Sequence, residues 1–162
     1  MGGVMSTYKV TLIGHRFIED IRELEDMLRV VIDDILLSNR KLVWYIGRNG
    51  DFDICAASLL KRMMKQRDDI ESEIILVLPY LVKDSEFYEE YYDEVMIPDS
   101  CYYVHPKRAI TERNRWMIDN SDIILFAVKG QGGAASAMRY ASQKGKRYIN
   151  IFDSLDQTTQ QK

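Results

Sequence analysis

Ile123-Ile124-Leu125-Phe126-Ala127-Val128, then Lys129-Gly130-Gln131-Gly132-Gly133, then Ala134-Ala135-Ser136-Ala137: this stretch decides the fold. Six consecutive apolar residues ahead of a glycine cluster read as a strand buried on both faces. The glycines read as a turn, and Ala134 to Lys144 as a helix that opens on small residues. A strand with no polar side running directly into a helix is the unit of a parallel sheet, because parallel strands need helical crossovers and the crossovers must bury their apolar stripes.

Working outward, the same unit recurs. Tyr8 to Gly14 contains the β-rich run Val10, Leu12, Ile13 and stops at Gly14-His15-Arg16. From Glu19 to Ser38, Ile21, Leu24, Leu28, Val31, Ile32, Ile35 and Leu36 fall three and four apart, the spacing of an amphipathic helix. Leu42 to Ile46 reads as a strand, Gly47 to Asp51 as a turn, and Ala57, Leu60, Met63 and Met64 as one helical stripe. Ile74 to Leu78 is a third strand, stopped by Pro79. Tyr80 to Asp99 interleaves acids with Phe87, Tyr88, Tyr91 and Tyr92 and reads as an exposed helical excursion. A short strand is expected at Cys101 to Val104, a helix at Lys107 to Asn120 and a last strand at Tyr148 to Phe152. The expectation is a Rossmann-like three-layer α/β sandwich with a mostly parallel sheet of about five strands. The domain should span residues 8–152, flanked by tails at 1–7 and 153–162.

Composition narrows the function classes. The chain has 162 residues, enough for one domain that buries roughly 70% of its unfolded surface. Twenty-five acids against 22 bases leave a net charge of −3, which disfavours a diffuse basic surface for duplex nucleic acid. Cys55 and Cys101 make neither a disulfide framework nor a zinc cluster and suit a reducing compartment. No stretch approaches the ~20 apolar residues of a membrane span and no signal peptide is evident, so the expectation is a cytoplasmic protein with no membrane partner. Met1 to Ser6 matches the loose myristoylation pattern, which carries no weight alone.

In a sheet of this kind ligands bind outside the carboxyl ends of the strands. The residues expected there are Gly14, His15 and Arg16; Gly47, Arg48, Asn49 and Gly50; Lys129, Gly130, Gln131, Gly132 and Gly133; and Asp153. Glycines let backbone N–H groups approach a ligand, helix N-termini carry partial positive charge and arginines match phosphate oxygens. Together they outline an anion site. Gly130, Gly132 and Ala135 also fit the dinucleotide fingerprint, with Asp153 near the place of the ribose acid, although that fingerprint normally opens a nucleotide-binding half rather than closing one. His105, before Pro106, reads as a turn residue. Two scattered histidines and two cysteines argue against a transition-metal site, and no Gly-x-Ser-x-Gly elbow is present.

Several of these segments, taken in order, resemble the YpsA-like family of the SLOG superfamily, which also holds the Lonely Guy phosphoribohydrolases and the DprA-like DNA-processing proteins. They are Thr11 to Arg16, Tyr45 to Asp53, Arg113-Asn114-Arg115-Trp116-Met117, Ser121-Asp122 and Gly132-Gly133-Ala134-Ala135. The resemblance covers roughly residues 8–152. It implies a Rossmann-like fold whose glycine turn holds a nucleotide or nucleotide-derived ligand, ADP-ribose-like or NAD-like among the candidates. It also implies that Arg113 corresponds to the arginine used by members that cleave nucleotide N-glycosidic bonds. The glutamate of those members does not carry over. Ala135 and Ser136 occupy its Gly-Thr positions, Arg139 stands where the acid belongs and Gln131 replaces a proline.

Cleaving that bond needs a carboxylate to stabilise an oxocarbenium-like state or activate water, which Arg139 cannot do. Asp51, Asp53, Glu112 or Asp153 could supply an acid from elsewhere, with Asp53 and Asp153 the catalytic candidates. The preferred expectation is a non-catalytic nucleotide-ligand binding or sensing domain. Its ligand would be held by Gly14, His15, Arg16, Gly47, Asn49, Arg113, Gly130, Gly132 and Gly133, with no metal. Hydrolysis of a nucleotide N-glycoside is the alternative. Single-stranded DNA binding through Arg16, Arg48, Arg113 and Arg115 ranks below both because of the net acidity. The sequence leaves a homo-oligomer open.

Overall fold

The computed structural model describes residues 6–48 and 50–153. Strands and helices alternate along them: β1 (Tyr8–Gly14), α1 (Ile21–Ser38), β2 (Lys41–Ile46), α2 (Asp51–Lys65), β3 (Glu71–Val77), α3 (Ser85–Tyr91), β4 (Glu94–Met96), α4 (Pro106–Asp119), β5 (Ile123–Ala127), α5 (Gly133–Gln143) and β6 (Tyr148–Asn150). The strands form one sheet in the order β4-β3-β2-β1-β5-β6, and every pairing is parallel. The chain is therefore a Rossmann-like three-layer α/β sandwich. None of the described helices is long and apolar enough to cross a membrane.

The period of two along each strand divides the core. Val10 and Leu12 of β1 and Ile123 and Leu125 of β5 turn toward α1 and α2, where Leu24, Leu28, Ile32, Phe52, Leu59 and Leu60 bury against them. Ile13, Ile124 and Phe126 turn the other way, onto Met117 and Ile118 of α4 and Ala134, Ala135, Ala137 and Ala141 of α5. The alanines let α5 lie close to the sheet. A buried polar trio sits on that side, where the Thr11 hydroxyl bonds the Ser121 hydroxyl and both reach the Met117 carbonyl. Asp122 closes the register of β5 on β1, its N–H donating to the Lys9 carbonyl and its carboxylate accepting from the Lys9 N–H, each at 2.8 Å.

Two elements differ from the sequence expectation. Cys101 to Val104 is not a strand: Pro98 leads into a 3-10 turn at Asp99–Cys101, in which the Cys101 N–H donates to the Pro98 carbonyl. Tyr102 and Tyr103 are exposed one after the other, so that run has no inward-facing alternation. The additional strand, the sixth, is Glu94–Met96, paired with Ile75–Val77 inside what reads as a helical excursion. Only α3 of that excursion is helical. Its Tyr91 and the following Tyr92 pack on the α1–α2 side, and Lys61 of α2 donates to the Tyr91 carbonyl at 2.8 Å while lying 3.8 Å from the Tyr91 ring centroid. The candidate ligand residue Asn49, most of the Met1 to Ser6 lipidation pattern and nearly all of the 153–162 tail lie outside the described residues.

Candidate functional site

Strand order makes β1 the switch point: its crossover leads one way to β2, while β5 lies against its other edge. At the carboxyl ends of these strands opens a cavity of about 1250 Å³, lined by residues 12–20 and 131–134 and by Gly47, Arg48, Gly50, Asp53, Tyr80, Ile110, Arg113, Asn114, Lys129 and Phe152, among others. Its position is the one expected of a ligand crevice in an open α/β sheet.

Local bonds brace the crevice. The His15 N–H donates to the Ala127 carbonyl at 3.4 Å, and His15 Nε2 accepts from the Lys129 N–H at 2.8 Å, so the imidazole laces the exit of β1 to the exit of β5. Asp51 ties the start of α2 to the loop after β1, donating its N–H to the Arg16 carbonyl (2.8 Å) and accepting from the Ile18 N–H (2.9 Å). Gly14 is required by packing: a Cβ there would lie 2.2 Å from the Phe52 ring. Asn150 supports the glycine turn from behind. It is buried, accepts from the Val128 N–H at 3.1 Å and donates to the Val128 carbonyl at 2.9 Å.

The glycine turn presents helix α5 to the cavity. Gly130 (φ 73°) and Gly132 (φ 124°) occupy the left-handed half of backbone space, where only glycine is unstrained. Gly132 caps α5 with no side-chain hydrogen bond, and a Cβ on Gly132 or Gly133 would meet nothing within 4 Å. The start of α5 thus lies on the cavity wall with no side-chain cap and no acid in its first turn, and a helix start of this kind carries unsatisfied N–H groups and partial positive charge. Gly130 shapes the turn and does not line the cavity.

Arg113 forms the opposite end. It rises from α4 and is only 9% exposed, its Nη1 donating to the Val77 carbonyl at 3.1 Å and its Nε to Asn114 Oδ1 at 2.9 Å. Gly47 makes room for it, since a Cβ at that position would stand 2.8 Å from Nη1. Among the described residues, no hydrogen-bond acceptor stands against Nη2. Burial pulls the guanidinium's pKa down, and the Asp53 charge opposes that. Asp53, third residue of α2, folds its carboxylate back to the Gly50 N–H in the manner of a capping box. Burial raises its pKa to about 6, against the opposing pull of Arg113 and of that hydrogen bond.

The remaining charges are mixed. Arg16, Arg48 and Lys129 line the cavity together with Glu19, Asp20 and Glu23, so positive potential is local and not general. Arg48 also bonds the Tyr88 hydroxyl at 3.3 Å. Of the other sequence candidates, Asp153 is exposed and outside the lining, as are Arg139, bonded to the Ser136 hydroxyl, and Arg115, which lies over the Tyr140 ring. His105 caps α4, its Nδ1 accepting from the Lys107 N–H. The apolar rim made by Phe17, Tyr80 and Ile110 is not apparent in the sequence reading, nor is the support from Asn150. The one polar residue in Tyr148-Ile149-Asn150-Ile151-Phe152 was the available signal for Asn150.

Gly47 follows β2 and the glycine turn follows β5, two strand spacings away, which is roughly 10 Å. The helix terminus and Arg113 are therefore two separate polar positions in one cavity. Among the described residues no group of three or more His, Cys, Asp or Glu side chains is placed to hold a metal ion. The chain matches no known family model, no curated protein and no solved structure.

Proposed function

We propose that this chain is a YpsA-like domain of the SLOG superfamily that binds a nucleotide or nucleotide-derived ligand at the crevice between β1 and β5, as a non-catalytic binding or sensing module. The observation that carries this reading is the start of α5, where Gly132 and Gly133 leave the helix end without a side-chain cap on the wall of a large cavity. An anion is the natural partner of such a terminus. Lys129 adds charge beside it, and Arg113 adds a second polar anchor. Support for a non-catalytic reading comes from Arg139, which replaces the acid implied by the resemblance and bonds Ser136 outside the cavity. Two free, buried cysteines accord with a cytoplasmic setting.

A thermal-shift screen against nucleotides, ADP-ribose, NAD and cyclic nucleotides tests the reading. A ligand at a hundredfold its dissociation constant stabilises the fold by about 2.7 kcal/mol, an easily measured shift. Absence of a shift with every compound defeats it.

One observation favours the hydrolytic alternative. Asp53 is a carboxyl group inside the same cavity with a pKa near 6, suited to give or take a proton near neutral pH. In that case Asp53 activates water or protonates the leaving base while Arg113 anchors the substrate. Release of free base from a nucleotide panel, abolished by Asp53→Asn, decides for it.

A further inference from the structure

The cavity's second polar position holds a carboxylate and a guanidinium that feel each other's charge without a direct ion pair, and this combination restricts what sits there. Asp53 retains acceptor capacity beyond its bond from the Gly50 N–H, and Arg113 Nη2 has no acceptor among the described residues although the residue is nine-tenths buried. A second anion would suit Arg113 but oppose Asp53, and a cation would do the reverse. A neutral group with both hydroxyl donors and hydroxyl acceptors satisfies the two together. A vicinal diol has that character.

We propose that Asp53 and Arg113 form a diol-recognising subsite, selecting a phosphorylated sugar or nucleotide whose ribose hydroxyls are intact. The phosphate would lie on the start of α5 and the sugar hydroxyls on Asp53, roughly two strand spacings away. The inference rests on the proposed reading of the α5 terminus as an anion position. Asp153, where the glycine fingerprint places a ribose acid, is exposed and outside the lining. Asp53 follows β2, next to β1 in the sheet, and lines the cavity itself.

The test compares three probes by titration calorimetry: AMP, 2′,3′-dideoxy-AMP and inorganic phosphate. Wild-type protein should bind AMP roughly tenfold or more tightly than the dideoxy compound, the loss expected when hydroxyl bonds to charged groups are removed. Asp53→Asn, which keeps an oxygen for the Gly50 N–H, should erase most of that preference without weakening phosphate binding, since the charge it removes opposes an anion. Gly133→Ala should weaken all three. Equal wild-type affinity for AMP and the dideoxy compound overturns the diol subsite while the anion reading stands, and so does an undiminished preference in Asp53→Asn. If no probe binds wild-type protein, the anion reading falls and the diol subsite with it.

Discussion

Asp53 is a residue whose ionisation works against the fold. Its pKa is about 6 in the folded chain against an ordinary 3.8, so the native state holds the proton more tightly than the unfolded state does. The resulting stability is complete below about pH 4, declines as pH rises through about 6, and is level beyond. Asp53→Asn has no such titration. Its stability relative to wild type should therefore grow by roughly 3 kcal/mol from about pH 3.5 to about pH 7.5. Urea unfolding at both pH values checks this, and a difference independent of pH would contradict the assignment. Arg113 carries the opposite charge and the opposite expectation. Arg113→Ala should weaken binding of a phosphate-bearing ligand by about 1.5–3 kcal/mol, read by calorimetry, if it makes a charge-assisted bond to that ligand. It should also cost stability, because the Val77 carbonyl loses its donor. Neither property of this pair was legible as spacing. Asp53 and Arg113 stand sixty positions apart, and only the sheet order brings α2 and α4 to the same crevice.

At the scale of elements, the glycines divide into those that serve packing and those that serve the cavity. Gly14→Ala would drive a methyl into the Phe52 ring and should destabilise the fold by about 1–3 kcal/mol or more, seen as a lower unfolding midpoint. Gly133→Ala meets open space at an ordinary φ within α5 and should leave stability equal or raise it by up to about 1 kcal/mol. The added methyl stands in the space left to the ligand, so weaker binding with an undamaged fold is the expected result. Asn150→Leu removes both bonds to Val128 and should cost about 2–4 kcal/mol in chemical unfolding, because two buried backbone groups lose their partners. The elements legible in the sequence were those whose apolar residues repeat with one period, such as β5 and α1. Glu94–Met96 escaped because a strand of three residues beside an acid-rich helix shows no period of its own. It exists through hydrogen bonds to β3, which no local pattern records. Cys101 to Val104 misled for the complementary reason: β-prone residues lie there with no neighbouring strand to pair with.

The architecture of the whole molecule was readable from the alternation of buried strands and striped helices, because a parallel sheet leaves little choice about where the crossovers lie. The mouth of the crevice was less so. Phe17, Tyr80 and Ile110 come from three separate segments, and their convergence is a property of the assembled layers. The same layering divides the chain's two tryptophans. Trp44 is wholly buried among the side chains facing α1 and α2, whereas Trp116 lies on the α4 side, edge-on to Tyr45 with ring centroids 5.2 Å apart. Each indole is thus a separate optical window on one half of the molecule. Emission from Trp116→Phe protein reports the α1–α2 half, and emission from Trp44→Phe protein reports the other, one helical turn from Arg113. In a cooperatively unfolding domain, each variant's fluorescence transition should coincide with its own circular-dichroism transition, while a ligand reaching Arg113 should perturb the Trp116 signal and leave that of Trp44 unchanged.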